Sequence, residues 1–111
     1  MIKKVKKAWG SEEWLVNNEL YCCKILNLKK DYRCSIHYHK VKDETFYVLK
    51  GVVLLELFGR KIILRKGDSI RIKPYSLHRF TGIKNSKILE VSTHHDDSDS
   101  YRIEIGGKTT N

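Results

Sequence analysis

The sequence predicts an all-β domain, an antiparallel barrel or jelly roll. Short runs of β-branched, aromatic and aliphatic residues recur along the chain, turn residues separate them at intervals of about 8–12 residues, and no helical pattern persists. At 111 residues the chain has room for one hydrophobic core, so we expect residues 1–111 to form a single domain. Closing the sheet would remove the edge strands that otherwise pair with other chains.

Nine runs are predicted to be strands. They are residues 21–28, 34–39, 44–49, 52–58, 61–64, 69–72, 78–80, 87–92 and 101–105. Turn residues such as Lys50-Gly51 and Lys66-Gly67-Asp68 separate them. We expect residues 1–18 to form an N-terminal arm, in which residues 11–14 are the best candidate for a helical turn, and residues 106–111 to form a frayed tail.

Charge and composition restrict the classes of partner. Lysine and arginine number 22 against 13 acidic residues, which gives a net charge of +9. Beyond the first seven positions the basic residues are spread singly and form no stripe, so we expect a solvated basic surface and neither a nucleic-acid nor a membrane partner. The chain has no apolar run of the roughly 20 residues that cross a bilayer, and no apolar stretch follows its basic start. These features predict a soluble, cytoplasmic protein whose three cysteines are free, buried thiols.

Four side chains predict a metal site. His37 and His39 stand two apart in a predicted strand, so both imidazoles lie on one face, while Glu44 begins the next strand and His78 begins a later one. The alternative is that these four polar groups are buried and bond only to one another, but burying a carboxylate without a cation would cost several kcal/mol. We therefore expect a divalent transition metal, one of Mn, Fe, Ni, Co or Zn, with open positions for water or substrate. The pair His94-His95 is not expected to bind it, because no strand alternation aims its rings.

These residues resemble the motifs of the cupins. The first cupin motif has His-x-His, four residues, Glu, six residues and Gly, and residues 37–51 match it in full. The second runs from a Gly through a Pro to a His, as residues 67–78 do, although the usual Pro-x-Gly turn is Pro74-Tyr75-Ser76 here. The resemblance implies a cupin barrel over about residues 9–105, with His37, His39, Glu44 and His78 as metal ligands.

A closer resemblance is to the cupin-type mannose-6-phosphate isomerases. Similar elements before the ligand carboxylate are Ala8-Trp9-Gly10, a lysine in the strand before the first motif, and a basic residue two positions before the carboxylate. At and after the last ligand, the similar elements are a His-Arg pair, a Glu-Val pair and an acidic run that ends in arginine. That family usually has Gln where His37 stands. The resemblance implies Lys24 and Glu90 as candidate catalytic bases and Lys42, Arg79 and Arg102 as substrate-binding residues.

Three functions follow as hypotheses. The first is a metal-dependent aldose–ketose isomerase acting on a sugar or sugar phosphate, in which the cation polarises the substrate oxygens and Lys24 or Glu90 moves the proton. The second is an Fe(II) dioxygenase that uses the same ligands, and the third is a non-enzymatic module that binds a sugar or another effector. Single-barrel cupins commonly pair, so we also expect a homodimer, with the Trp9–Trp14 arm as a strand or clasp that could be exchanged.

Overall fold

Two antiparallel sheets make up the protein in a computed structural model that describes residues 2–109. The strands are β1 (Lys3–Lys7), β2 (Gly10–Asn17), β3 (Cys22–Leu28), β4 (Tyr32–Arg33), β5 (Ile36–Tyr38), β6 (Glu44–Lys50), β7 (Val52–Leu57), β8 (Arg60–Arg65), β9 (Ser69–Ile72), β10 (His78–Gly82), β11 (Ser86–Ser92), β12 (Tyr101–Glu104) and β13 (Gly107–Lys108). The described residues contain no α-helix, only a short 3₁₀ turn at Asp97–Asp99. The predicted all-β jelly roll is confirmed.

The two sheets form the walls of the barrel. The first has six strands in the order β1-β2-β3-β11-β6-β9. The second has the path β12-β5-β10-β4-β13, with β7 and β8 continuing from β10. Because β5 and β10 are neighbours, His37 and His78 pair directly across the second sheet. No helix in residues 2–109 is long and apolar enough to cross a membrane.

Each of the nine predicted runs overlaps a strand, but two other expectations were wrong. Residues 11–14 lie within strand β2 rather than in a helical turn, because β2 pairs with β1 on one side and β3 on the other. The tail is not frayed over its described part, since β13 pairs with β4. The Trp9 end of the arm is also part of the core, where the Trp9 ring meets Phe80 edge to face at 5.1 Å.

Strand alternation determines which side chains reach the interior. Along β3, Cys22, Lys24, Leu26 and Leu28 are buried, and the residues between them are only half-buried. The interior holds an apolar core built around Leu26, Phe46, Val48, Leu55, Phe80 and Ile88. Lys24 is 1% exposed, so a cation faces the barrel interior, as the alternation predicts.

The turn before β10 has Ser76 at the usual glycine position, and its left-handed residue is the one before it. Tyr75 takes the left-handed conformation itself, with φ of 66°. Its amide donates a 2.6 Å hydrogen bond to the His39 carbonyl, which ties the turn to the segment after β5. An L-residue in this region carries strain of about 1–2 kcal/mol, which the surrounding contacts must offset.

Candidate metal centre

Three imidazoles meet inside the barrel. His37 comes from β5, His39 from the segment after it, and His78 from the start of β10. Each offers a ring nitrogen, and these nitrogens lie within 4.8 Å of one another. His39 and His78 are 4% and 1% exposed, so water has little access to them from outside. The three histidines are positioned to bind one metal ion.

Backbone carbonyls fix the orientation of all three rings. The Nδ1 atoms of His37 and His78 lie 2.8 Å from the carbonyls of Ser35 and Ser76, each two residues back in the chain. The Nδ1 of His39 lies 2.9 Å from the carbonyl of Asp99. A carbonyl only accepts, so each Nδ1 must carry the proton. Each Nε2 is then left with a free lone pair, which is the form of histidine that binds metals.

The buried polar atoms of the site fit a cation. Among the described residues, His39 Nε2, His78 Nε2 and Glu44 Oε2 are buried without a hydrogen-bond partner. Glu44 Oε2 lies 3.3 Å from His39 Nε2 and 3.4 Å from His78 Nε2, and with Nδ1 protonated all three atoms are acceptors. Such separations suit ligands that each lie about 2.0–2.2 Å from a shared ion. A cation would satisfy all three atoms at once.

The ionisation states of His37 and Glu44 also suit metal binding. Burial and the neighbouring His78 lower the pKa of His37 to about 3, so its imidazole is neutral at pH 7. Burial acts to raise the pKa of Glu44, but the nearby Lys42 ammonium opposes it, and that pKa lies well below its usual range. Neutral imidazole and ionised carboxylate are the ligand forms that a divalent metal requires.

A cavity of about 580 Å³ opens beside these ligands and brings most of the other predicted residues to the same place. Lys42 and Glu90 form a buried ion pair in its wall, with Lys42 Nζ 2.7 Å from Glu90 Oε2 and 3.4 Å from Glu44 Oε1. Burial acts to lower the pKa of Lys42, but Glu90 and Glu44 outweigh it and raise that pKa. Burial raises the pKa of Glu90 despite the ammonium. The Lys42 side chain thus lies between the candidate ligand Glu44 and the candidate base Glu90.

Lys24 also lines the cavity, together with a residue that the sequence did not single out. Its Nζ lies 3.5 Å from Glu12 Oε1 and 4.0 Å from the centre of the Trp14 ring. Glu12 is 8% exposed and faces inward from β2. Reading residues 11–14 as a strand would have identified Glu12, since alternation along β2 places it opposite Leu26.

His95 takes part in the cavity wall rather than in the metal triad. Its Nδ1 lies 3.0 Å from Lys42 Nζ, and its Nε2 lies 2.8 Å from Asp97 Oδ1. Burial and the Lys42 charge lower the pKa of His95 to about 4. His94 is exposed and bonds the Asn18 carbonyl. A loop places these rings, so no periodicity in the sequence could have shown which one enters the cavity.

The two predicted arginines go to different places. Arg102 borders the cavity, opposite His37 in the sheet. Arg79 does not border it: its guanidinium points to the other face and bonds the Cys34 carbonyl at 2.9 Å, the Ile105 carbonyl at 3.0 Å and Glu104 Oε1 at 3.1 Å. Arg79 is 2% exposed and holds the C-terminal segment, so it is not available to a substrate in this cavity.

Comparisons with known proteins agree with this architecture. An uncharacterized protein of Methanocaldococcus jannaschii, MJ1618, is 36% identical over 50 residues, which cover 45% of this chain and 40% of that protein. The chain spans less than two thirds of the length of the curated relatives it matches. KdgF from Halomonas sp. superposes with a TM-score of 0.78 at 17% identity, covering 88% of this chain and 89% of KdgF.

A second solved structure is also similar in fold. Streptomyces Pac13, described as a nucleoside dehydratase, has a TM-score of 0.82 at 10% identity and covers 94% of this chain and 86% of its own. At these identities the likeness shows the fold alone. The family model described as "Cupin domain" matches residues 25–92, which include every candidate metal ligand. The chain therefore belongs to the cupin family.

Proposed function

We propose that the protein is a metal-dependent aldose–ketose isomerase that acts on a sugar or sugar phosphate. The observation that carries the proposal is that one cavity is lined by the candidate ligands His37, His39 and Glu44 and by the buried Lys42–Glu90 pair. His37, His39, Glu44 and His78 would hold the ion. A divalent cation there would supply a Lewis acid that polarises the carbonyl and hydroxyl oxygens of the substrate.

Glu90 is the better placed of the two candidate bases. As a carboxylate it would take the proton from the hydroxyl-bearing carbon beside the carbonyl and return it to the former carbonyl carbon, while the hydroxyl proton passes to the former carbonyl oxygen, so the enzyme is unchanged after one turnover. Its raised pKa favours this exchange, because a carboxyl group that titrates nearer to neutral pH is both a stronger base and a usable acid. Lys42 holds it in place at 2.7 Å.

Lys24 and Arg102 would orient the substrate. The Lys24 ammonium faces the cavity and is held by Glu12, so it can donate to a substrate hydroxyl or phosphate oxygen. Arg102 stands at the border of the cavity, where a guanidinium can bind a phosphate through two parallel hydrogen bonds. Leu26 and Phe46 give the same cavity an apolar wall that limits access of water to the reacting carbons.

Isotope exchange tests the proposal. Protein loaded with Mn would be incubated in heavy water with hexoses, pentoses and their phosphates, and exchange at the carbon beside the carbonyl would be followed by NMR. We expect exchange with at least one substrate, lost by about 10²-fold or more in Glu90→Gln. Lys24→Met is the matched variant: a smaller loss there assigns the proton transfer to Glu90, whereas a loss confined to Lys24→Met assigns it to Lys24.

The other two hypotheses are distinguished by their own readouts. Oxygen consumption by the iron-loaded protein, without isotope exchange, would support the Fe(II) dioxygenase and overturn the isomerase. Saturable sugar binding in calorimetry, with neither exchange nor oxygen uptake, would identify a binding module.

The proposal includes a cytoplasmic homodimer. Three free cysteines suit a reducing compartment. Part of the outer face of the six-stranded sheet carries apolar side chains that a second copy would cover, among them Tyr47, 40% exposed, and Val91, 50% exposed. Sedimentation velocity tests this: Val91→Asp should convert a dimer into a monomer, and a native protein that sediments as a monomer would contradict it.

A further inference from the structure

A second cleft lies outside the barrel, at one end of the six-stranded sheet. Its volume is about 530 Å³, within the usual range of small-molecule sites. No aspartate or glutamate lines it. Five lysines do: Lys6, Lys7, Lys29, Lys50 and Lys87. Five of the 22 basic residues, which look scattered along the sequence, are therefore brought together here by the fold.

Sheet register explains how the lysines meet. Lys6 of β1 pairs with Ser11 of β2, Ser11 with Asn27 of β3, Asn27 with Lys87 of β11, and Lys87 with Lys50 of β6. Three lysines, one serine and one asparagine thus form one row across five strands. Asn27 and Lys87 lie between inward-facing neighbours, so this row is on the outer face of the sheet. Lys7 and Lys29 flank the row at its end.

Among the described residues the five lysines form no ion pairs, although the Glu13 carboxylate accepts a 3.1 Å hydrogen bond from Asn27, which lines the cleft. Among residues 2–109, no carboxylate lies within 4.0 Å of any of the five ammonium groups. Hydroxyl and amide groups of Ser11, Asn27 and Asn85 add polar walls. Five like charges around one concave surface attract anions, and they attract a compact multivalent anion most strongly.

The charge is confined to this end of the sheet. In the next row of the same face, Lys4 pairs with Glu13, and the row continues through Ile25, Leu89 and Tyr47. A nucleic acid needs a basic track that follows its backbone over several phosphates, and this row offers none. The cleft therefore suits a small ligand that carries its charges close together.

We propose that this lysine cleft binds a small anion with several linked phosphate groups, such as inorganic triphosphate or the triphosphate part of a nucleotide. It is separate from the metal centre, whose ligands face the barrel interior. Lys6 and Lys7 border both spaces, so a ligand in the cleft would lie next to the rim of the cavity. The inference does not depend on the isomerase chemistry.

Calorimetry with inorganic triphosphate at low ionic strength tests the proposal. We expect saturable binding that weakens as sodium chloride is added, because salt screens exposed charges. The variant Lys50→Gln/Lys87→Gln should bind about tenfold more weakly or worse. The matched control Lys61→Gln/Lys66→Gln removes the same net charge from an exposed strand and turn elsewhere and should bind as the native protein does.

Three results would overturn the proposal. Equal weakening in both double variants would show a response to net charge alone. Loss of binding in His39→Ala would show that triphosphate binds a metal in the barrel instead. A 20-nucleotide single strand would be added at a total concentration of phosphate groups below that of the triphosphate. If it displaced the triphosphate, a polymer would be the preferred ligand. Retained metal content and melting temperature in the lysine variants would show that they are folded.

Discussion

Replacing Lys42 by methionine should be among the most destabilising single changes in the cavity. The Lys42 side chain is 3% exposed, and its ammonium contacts Glu90 at 2.7 Å, Glu44 at 3.4 Å and His95 at 3.0 Å. Methionine keeps the length of the stem and removes the charge, so two buried carboxylates lose their counter-ion. Breaking a buried ion pair in this way costs about 3–5 kcal/mol. We expect a loss of that size in the free energy of unfolding at pH 7.

Urea denaturation in the presence of a chelator measures this, because bound metal would otherwise contribute to stability. The double variant Lys42→Met/Glu90→Gln should recover much of the loss, since it removes the uncompensated charge together with its partner. In the single variant, the folded-state pKa of Glu90 should rise further above its unfolded value. Stability then falls as pH rises above about 4.5, and the deficit should be smaller at pH 5 than at pH 7.

The exposed pair Arg71–Asp43 supplies the matched control. Arg71→Met removes a cation from a carboxylate at the surface, where water screens the interaction, and should change stability little. If Lys42→Met is as mild as Arg71→Met, or if the double variant is no more stable than the single one, the Lys42–Glu90 pair does not stabilise the cavity as argued.

The other predictions concern acid stability, the C-terminal segment and ligand orientation. The pKa of His37 is about 3 in the folded protein and 6.5 in the unfolded chain, so the unfolded chain binds the proton first and stability falls as pH drops below 6.5. In the metal-free protein, His37→Gln should therefore lose less stability between pH 7 and pH 5 in urea denaturation, by up to about 1.4 kcal/mol per pH unit. Equal pH slopes for the two proteins would contradict this. Arg79→Met should lower stability by about 3 kcal/mol and speed proteolysis after β12, with metal content unchanged. The Asp99 carboxylate accepts hydrogen bonds from the backbone next to His39, so Asp99→Ala should weaken metal binding about 10- to 100-fold in a chelator competition. Asp96→Ala removes only a cap of the 3₁₀ turn and should leave metal binding unchanged. Equal effects of the two changes would show that Asp99 does not position the ligand.

The strands and the triad could be predicted from the sequence because both depend on short-range pattern. Alternation in Cys22–Leu28 correctly places Lys24 inward, and the two-residue spacing of His37 and His39 brings their rings together. The position of Arg79 could not be predicted in this way. Alternation with His78 indicates that it faces outward, but only the path of the C-terminal segment shows that it is covered.

The lysine cleft depends on register between strands distant in sequence. Lys6, Lys50 and Lys87 look unrelated along the chain, and only the pairing of β1, β2, β3, β11 and β6 aligns them. Strand β2 was missed because residues 11–14 carry two adjacent acidic residues, which are uncommon in strands. Pairing on both sides of β2 outweighs that local preference.

The anchors of the three imidazoles imply an order of assembly. His37 and His78 are held by carbonyls two residues away, so their rings can be oriented as soon as β5 and β10 form. His39 depends on Asp99, 60 residues further along the chain, whose carboxylate also accepts hydrogen bonds from the amides of residues 40–42. Closing so long a loop is slow and entropically costly, so the third ligand is oriented late in folding. A tightly bound ion would therefore distinguish fully folded molecules from those whose C-terminal turn has not yet docked.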